Sequence, residues 1–285
     1  MIYFTDQEID QLLTEDVQYF DLTTSMLRLE NKPAKIYFTT RESTVICGSE
    51  EVMKVFQRTN IQTTLFTPSG EHLDKDVKFL EGEGLSGTLF AISRTVENML
   101  RYASGIATRT RMLVEKAHEV NKGIVVSTTR KTIPGTRKLA VKAVQAGGAS
   151  IHRLGLSESI LVFRDHCSFL GGMDNLGKRL KERKSLAGGK PIAIEAENYE
   201  DALKIAQAGA DIIQLDKFAP GDIRRFRKEV VNINPAVKIA AAGNITLKNI
   251  QDFAASGADM VVTSWPYYGE PADMHVCIQP IYEQF

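Results

Sequence analysis

Ala208-Gly209-Ala210-Asp211-Ile212-Ile213-Gln214-Leu215-Asp216 decides how this chain folds, because its pattern returns as Ser256-Gly257-Ala258-Asp259 before Met260-Val261-Val262. A glycine after a helix supplies the left-handed cap that turns the chain directly into the next strand. Ala146-Gly147-Gly148-Ala149 is a looser copy of the same turn. Outward from these turns, from about Gly123, short apolar runs alternate with amphipathic stretches. The runs are 124–127, 150–152, 160–163, 192–196, 212–215, 237–241 and 260–263. Strand–helix units of ~20–30 residues predict a parallel sheet, either open and doubly wound or closed as a barrel.

The strand ends choose between these. They carry Thr128-Thr129-Arg130-Lys131, His152-Arg153, Arg164-Asp165, Glu195 with Glu197, Asp216-Lys217, Gly243-Asn244 and Thr263-Ser264. A barrel gathers such ends on one face, where barrel folds place their active sites. An open sheet would spread them along an edge. The polar ends therefore favour the barrel.

The first hundred residues read as an α+β region. Thr5 with Glu8 forms a capping-box pattern for a helix burying Ile9, Leu12 and Leu13. Residues 34–40 alternate as a strand, and 77–80 and 88–92 read as two more. Ser49 is placed as the cap of a helix burying Val52, Met53, Val55 and Phe56, and Ser93 as the start of a long one. Gly82-Glu83-Gly84 reads as a turn. Residues 273–281 leave the strand–helix rhythm and read as a strand that returns to the first domain.

Composition narrows the function. Lys plus Arg equals Asp plus Glu at 35 each, so no global field draws the chain to nucleic acid or to anionic lipid. Any phosphate site must be a local cluster of cations. Cys47, Cys167 and Cys277 have no metal-ligand spacing, which suits reduced thiols in a cytoplasmic protein. The N-terminus lacks a basic region followed by an apolar run, so no signal peptide is expected, and no stretch approaches a membrane span.

The strand ends pair cations with acids. Arg130, Lys131, His152 and Arg153 suit phosphate or carboxylate ligands. Glu195 and Asp216 suit Mg2+, ribose hydroxyls or a developing positive charge. Each has a plainer reading: solvated arginines, a structural histidine, carboxylates satisfied by neighbouring lysines. Their shared position at successive strand ends is what favours function. There is no GxxxxGK[ST] loop, GxSxG elbow or HExxH pair, and His72, His118 and His275 fall at unrelated points.

Thr129-Arg130-Lys131-Thr132-Ile133-Pro134-Gly135-Thr136-Arg137 resembles the TRKTxPGxR signature of the quinolinate phosphoribosyltransferase family. Gly147-Gly148-Ala149-Ser150-Ile151-His152-Arg153-Leu154-Gly155-Leu156 is similar to its GGGxNHRxGL segment. Glu15-Asp16-Val17, Asp21-Leu22-Thr23-Thr24, Ser104-Gly105-Ile106-Ala107-Thr108, 208–216 and Asn244-Ile245-Thr246-Leu247 extend the likeness along almost the whole chain. The resemblance implies an N-terminal α/β sandwich over residues 1–106, joined by the tail 270–285, and an incomplete α/β (TIM-like) barrel over 107–269. It implies transfer of ribose 5-phosphate from phosphoribosyl pyrophosphate to the nitrogen of quinolinate, releasing pyrophosphate and then carbon dioxide, with Mg2+. It also implies a homodimer, or a larger assembly of dimers, in which Arg94 reaches the partner's site. Arg130, His152 and Arg153 would hold the acceptor's carboxylates, with Lys131 in the same pocket. Glu195 and Asp216 would sit by the ribose and the metal, and Gly243, Asn244 and Ser264 would cradle the 5-phosphate.

Several positions depart from the family pattern. Phe163 stands where a lysine is usual, offering an apolar face that suits stacking or a less anionic acceptor. Arg164 would point to the opposite face of a regular strand. Ala240 and Ala242 replace a glutamate and a serine, Asn244 a glycine, Lys217 an asparagine, and Trp265-Pro266 small residues. These features resemble the ModD-type branch of pyrophosphorylases, encoded with molybdate transporters. Three readings stay open: a ModD-like phosphoribosyltransferase with an unassigned anionic acceptor, a quinolinate enzyme that tolerates Phe163, and a non-catalytic binder of phosphorylated ligands.

Overall fold

The computed structural model describes residues 2–282, which form two units. One comprises the chain up to Arg111, Pro134–Gly148 and the tail from Tyr268; the other comprises Met112–Ile133 and Ala149–Tyr267. In the first, Thr5 and Glu8 cap helix α1 (Asp6–Thr14) reciprocally: the Glu8 amide donates to Thr5 Oγ1 at 3.3 Å, and the Thr5 amide to Glu8 Oε2 at 2.7 Å. Asp21 caps the short α2 (Leu22–Met26). Then follow β1 (Pro33–Thr40), β2 (Thr44–Val45), α3 (Ser49–Arg58), β3 (Gln62–Phe66), β4 (His72–Leu73), β5 (Lys78–Leu85) and the long α4 (Ser86–His118).

Three local expectations are corrected here. Residues 88–92 are not a strand, and the long helix starts at Ser86 rather than Ser93. Leu89, Ile92, Val96 and Leu100 are all buried at helical spacing, so Leu89 and Ile92 of the apolar run belong to the buried face of the helix. Gly48, with φ 103°, is the cap of α3; Ser49 is its first residue, with Oγ buried and unpartnered. Gly82 and Gly84 lie inside β5, where a Cβ on Gly82 would fall 2.6 Å from the Phe56 ring and 2.7 Å from Ile61. These glycines let a strand pass close over a helix end, a use that mimics a turn in sequence. Gly82→Ala should overpack this contact and cost about 1–3 kcal/mol; a urea midpoint unchanged from the parent would refute it.

After the second unit's first strand, β6 (Val125–Thr128), comes α5 (Arg137–Ala146). It returns to the first unit, where Lys142 pairs with Glu50 at 2.7 Å and with Glu51 on α3. The remaining elements of the second unit are β7 (Ser150–Ile151), β8 (Ile160–Val162), α6 (Arg164–Phe169), α7 (Met173–Arg183), β9 (Ile192–Ala196), α8 (Tyr199–Gln207), β10 (Ile212–Asp216), α9 (Pro220–Val230), β11 (Lys238–Ala242), α10 (Ile250–Ala254) and β12 (Met260–Thr263). The final strand, β13 (Met274–Pro280), pairs antiparallel with β1, giving the first unit a sheet ordered β13-β1-β5-β3.

The second unit's seven strands form one parallel sheet ordered β7-β6-β12-β11-β10-β9-β8, curled into a half-barrel. Ile194, Ile213, Leu215, Ile239 and Val261 are fully buried, as expected for strands covered on both faces. Gly209 and Gly257 hold φ 80° and 90°, the left-handed caps that the repeated turns require. The register aligns the strand ends: Asp216 faces Ala242, Ala242 faces Val262, Thr263 faces Thr128 and Thr128 faces Ile151.

Candidate active site

All polar strand ends of the second unit meet on one rim because the sheet is parallel. The end of β6 is pinned there. The Thr129 amide donates to the Thr263 carbonyl at 3.0 Å, and the His152 amide to the Thr128 carbonyl at 3.0 Å. Thr129 Oγ1 lies 2.6 Å from Ser264 Oγ and accepts the Lys131 amide at 3.1 Å. The buried Tyr267 hydroxyl sits 2.8 Å from Thr128 Oγ1 and 2.9 Å from the Thr129 carbonyl. Sequence reading missed Tyr267, since nothing local marks a tyrosine beyond one strand as the brace of another.

One end of the rim is cationic. Arg153 is 8% exposed, and burial followed by the charge of Arg130 pulls its pKa down. His152 is likewise lowered from the usual histidine value, by burial and then by Arg153. Among the described residues neither Arg130 nor Arg153 has a carboxylate within ion-pair distance. Removing a guanidinium from water without an anion beside it is costly, so this pair is built for an anionic ligand.

Phe163 belongs to this end. Arg153 Cζ lies over its ring, 5.8 Å from the centroid. The Phe163 amide donates to His166 Nδ1 at 3.0 Å, and the two rings stack at 5.6 Å and 17°. The ring is therefore engaged by its neighbours. Because β8 stops at Val162, strand alternation does not govern Arg164. It is the first residue of α6, and its guanidinium pairs with Glu197 at 2.8 Å.

The other end is acidic. Glu195 on β9 and Asp216 at the end of β10 lie on adjacent strands. Burial, then the Asp216 charge, raises the Glu195 pKa, while a hydrogen bond from Gln214 Nε2 at 2.7 Å and the charge of Lys131 oppose the rise. A carboxylate whose proton affinity rises beside a second one suits a cation between them. Among the described residues no group of three or more His, Cys, Asp or Glu side chains forms a metal cage. The pair fits a magnesium ion completed by water and substrate phosphates, which needs only one or two carboxylates.

Between these ends, β11 opens into a tight turn. Gly243 and Asn244 have φ 89° and 54°, and the Lys217 amide donates to the Ala242 carbonyl at 2.8 Å. A Cβ on Gly243 would fall 2.8 Å from the Lys217 amide nitrogen and 2.9 Å from Asp216 Oδ1, so only glycine fits. Ala240 and Ala242 pack against Val262 in a small apolar cluster, which explains why these positions are not polar here. Arg94 belongs to the first unit, on α4. Its guanidinium is mostly exposed and pairs with Glu97 at 2.6 Å.

Residues 21–104 match the N-terminal domain, and residues 106–277 the C-terminal domain, of quinolinate phosphoribosyl transferase. The chain is 33% identical over 279 residues to the protein named as a pyrophosphorylase, ModD, of Pasteurella multocida, covering 98% of this chain and 99% of that one. ModD of Rhodobacter capsulatus is also 33% identical, over 251 residues, covering 87% and 95%. A solved nicotinate-nucleotide pyrophosphorylase from Ehrlichia chaffeensis superposes with a TM-score of 0.89 at 26% identity, covering 98% of this chain and all of that one.

Proposed function

The chain belongs to the quinolinate phosphoribosyltransferase family, and on that premise we propose that it transfers ribose 5-phosphate from phosphoribosyl pyrophosphate to an anionic acceptor. The observation that carries the reading is the rim of the half-barrel. A buried Arg153, with no carboxylate partner among the described residues, stands beside Arg130 at one end, and Glu195 with Asp216 at the other.

The acceptor's carboxylate binds the guanidinium groups and fixes the direction from which its nucleophilic atom approaches the sugar. As the bond from C1 of the ribose to pyrophosphate breaks, positive charge grows on that carbon. Glu195 and Asp216 are prearranged to stabilise it. The acceptor then forms the new bond to C1, and pyrophosphate leaves with the bonding pair. Lys131, whose charge is felt at Glu195, is on hand for the departing anion. The Gly243-Asn244 turn and Ser264 hold the 5-phosphate. Mg2+, held by Glu195 and Asp216, would neutralise charge on pyrophosphate. No covalent nucleophile is required.

Incubation with phosphoribosyl pyrophosphate, Mg2+ and a panel of pyridine and other carboxylic acids should release pyrophosphate only when an accepted acid is present. Release with none of them would leave a non-catalytic binder. The similarity to nicotinate-nucleotide pyrophosphorylases supports a second reading, in which quinolinate is the acceptor and nicotinate mononucleotide the product.

The reading extends to a homodimer. Arg94 is 66% exposed and oriented by Glu97, and in this reading it serves the partner's site. Arg94→Ala and Arg130→Ala should each abolish most activity alone, whereas a mixed dimer of the two chains regains part of it through one intact site. Sedimentation of a fully active monomer would defeat this.

A further inference from the structure

We infer that Tyr267 is a positioning residue for the phosphoribosyl donor, holding Thr129 so that Lys131 and Ser264 serve one ligand; the inference rests on the phosphoribosyl-transfer reading above. It starts from the place of Tyr267 in the fold. Beyond β12 the chain makes a single turn of 3-10 helix that begins at Trp265, and Tyr267 stands there only 2% exposed. A phenol buried this fully needs a partner for its hydroxyl. This one points back to the end of β6 and meets Thr128 Oγ1 at 2.8 Å and the Thr129 carbonyl at 2.9 Å. A phenol has one proton, and a carbonyl can only accept. The Thr129 carbonyl therefore takes that proton, and the buried Thr128 hydroxyl donates to the phenol oxygen.

Thr129 is thereby engaged at every polar group. Its amide donates to the Thr263 carbonyl at 3.0 Å, its carbonyl accepts from Tyr267, and its hydroxyl lies 2.6 Å from Ser264 Oγ. That hydroxyl also accepts the Lys131 amide at 3.1 Å, which closes a local turn. The peptide between Thr129 and Arg130 cannot rotate without breaking the bond to Tyr267. The same segment reaches the 5-phosphate turn. Thr263 Oγ1 donates to the Ile245 carbonyl at 2.6 Å and accepts the Trp265 amide at 3.0 Å. Residues 263–267 thus hold two loops, one carrying Lys131 and the other Asn244.

The direction of the hydrogen bonds singles out the donor. A phosphate oxygen can only accept, so Ser264 donates to a bound 5-phosphate and takes the Thr129 proton in return. The Lys131 amide, the Thr129 hydroxyl and the Ser264 hydroxyl then all donate one way, towards the phosphate, and such chains strengthen their members. Lys131 is also the residue on hand for the departing pyrophosphate. Both ends of the chain therefore serve the phosphoribosyl donor. Arg153, the buried cation for the acid, stands past β7 on another strand.

The test reads donor and acid separately in the full-length protein. Affinity for phosphoribosyl pyrophosphate with Mg2+ is measured by calorimetry, and KM for it and for the accepted acid by pyrophosphate release. Tyr267→Phe should weaken donor binding about tenfold and raise the donor KM to match, while the KM for the acid changes less than about threefold. It strands the buried Thr128 hydroxyl and the Thr129 carbonyl, so the melting temperature should also fall. If Tyr267→Phe alone does not fold, Tyr267→Phe with Thr128→Val, which removes the stranded hydroxyl, takes its place. Thr129→Val keeps the shape and loses the hydroxyl; it should weaken the donor to a similar extent, and Thr129→Ser should recover most of that loss. Because Tyr267 and Thr129 act through one turn, their double variant should stay within about threefold of the weaker single one, not roughly a hundredfold below the parent. A Tyr267→Phe protein that melts lower yet binds the donor like the parent gives Tyr267 a purely structural role and overturns the inference. Equal weakening of donor and acid, independent losses in the double variant, or no recovery in Thr129→Ser overturns it while leaving the transfer reading intact. If no acid releases pyrophosphate from the parent, transfer fails and calorimetry alone decides the inference. A parent that does not bind phosphoribosyl pyrophosphate sinks both.

Discussion

Glu195→Gln should lower the rate of pyrophosphate release by about a hundred- to a thousandfold, the usual loss when a prearranged group facing transition-state charge is removed. Gln keeps the shape and an oxygen that can accept the Gln214 amide, seen at 2.7 Å, so the loss would come from the charge. The same variant should not lose stability. Burial and the Asp216 charge raise the Glu195 pKa above its ordinary value of 4.5. An acid with a raised folded-state pKa penalises folding when ionised. That penalty is absent below the unfolded value, grows as the pH climbs from there towards the folded one, and is complete above it. Glu195→Gln should therefore be as stable as the parent near pH 4 and more stable at pH 7. A variant that is less stable at neutral pH and retains full turnover would assign Glu195 a structural role. Asp216→Asn should show the same kinetic loss.

This opposition between stability and activity also bears on what the sequence could reveal. The barrel strands were legible because parallel strands buried on both faces are continuous apolar runs, and the glycine turns before 212 and 260 set their phase. The register then brought Asp216 level with Ala242, and Thr263 level with Thr128 one residue further along, without any further information. Residues 88–92 were misread because a short apolar run has no period of its own; its helical phase comes from Val96 and Leu100 further along. Gly82 and Gly84 were misread for a different reason. Their role depends on Phe56 and Ile61, which reach them only once the sheet and α3 have packed.

In the site, charged residues at strand ends were legible and their supports were not. Tyr267, Gln214 and His166 act through contacts that strand periodicity does not encode. Phe163 shows the limit most clearly. From sequence it is an apolar face available for a ligand to stack on. In the structure that ring carries His166 and lies under Arg153.

Arg153→Met should raise the KM for the acceptor by a hundredfold or more. Methionine fills the volume of the Arg153 stem and can still lie against the Phe163 ring. What it removes is a forked, charge-assisted pair of hydrogen bonds to a carboxylate, worth roughly 1.5–3 kcal/mol for each bond, and a loss of about 3 kcal/mol is already more than a hundredfold. Stability should move the other way. Burial and Arg130 both pull the Arg153 pKa down from the ordinary arginine value, so the cation is held in the fold at a cost wherever it is charged, which includes neutral pH. Replacing it with an uncharged side chain removes that cost and the repulsion of Arg130 together. The melting temperature should therefore hold or rise while acceptor binding collapses, and the KM for phosphoribosyl pyrophosphate should change little. Arg153→Lys should not rescue the loss, because a point charge does not reproduce the fork or rest flat on the ring. If Arg153→Met instead melted several degrees lower and kept its acceptor KM, the guanidinium would be serving the fold by tying β7 to β8, and the carboxylate would have to be bound elsewhere on the rim.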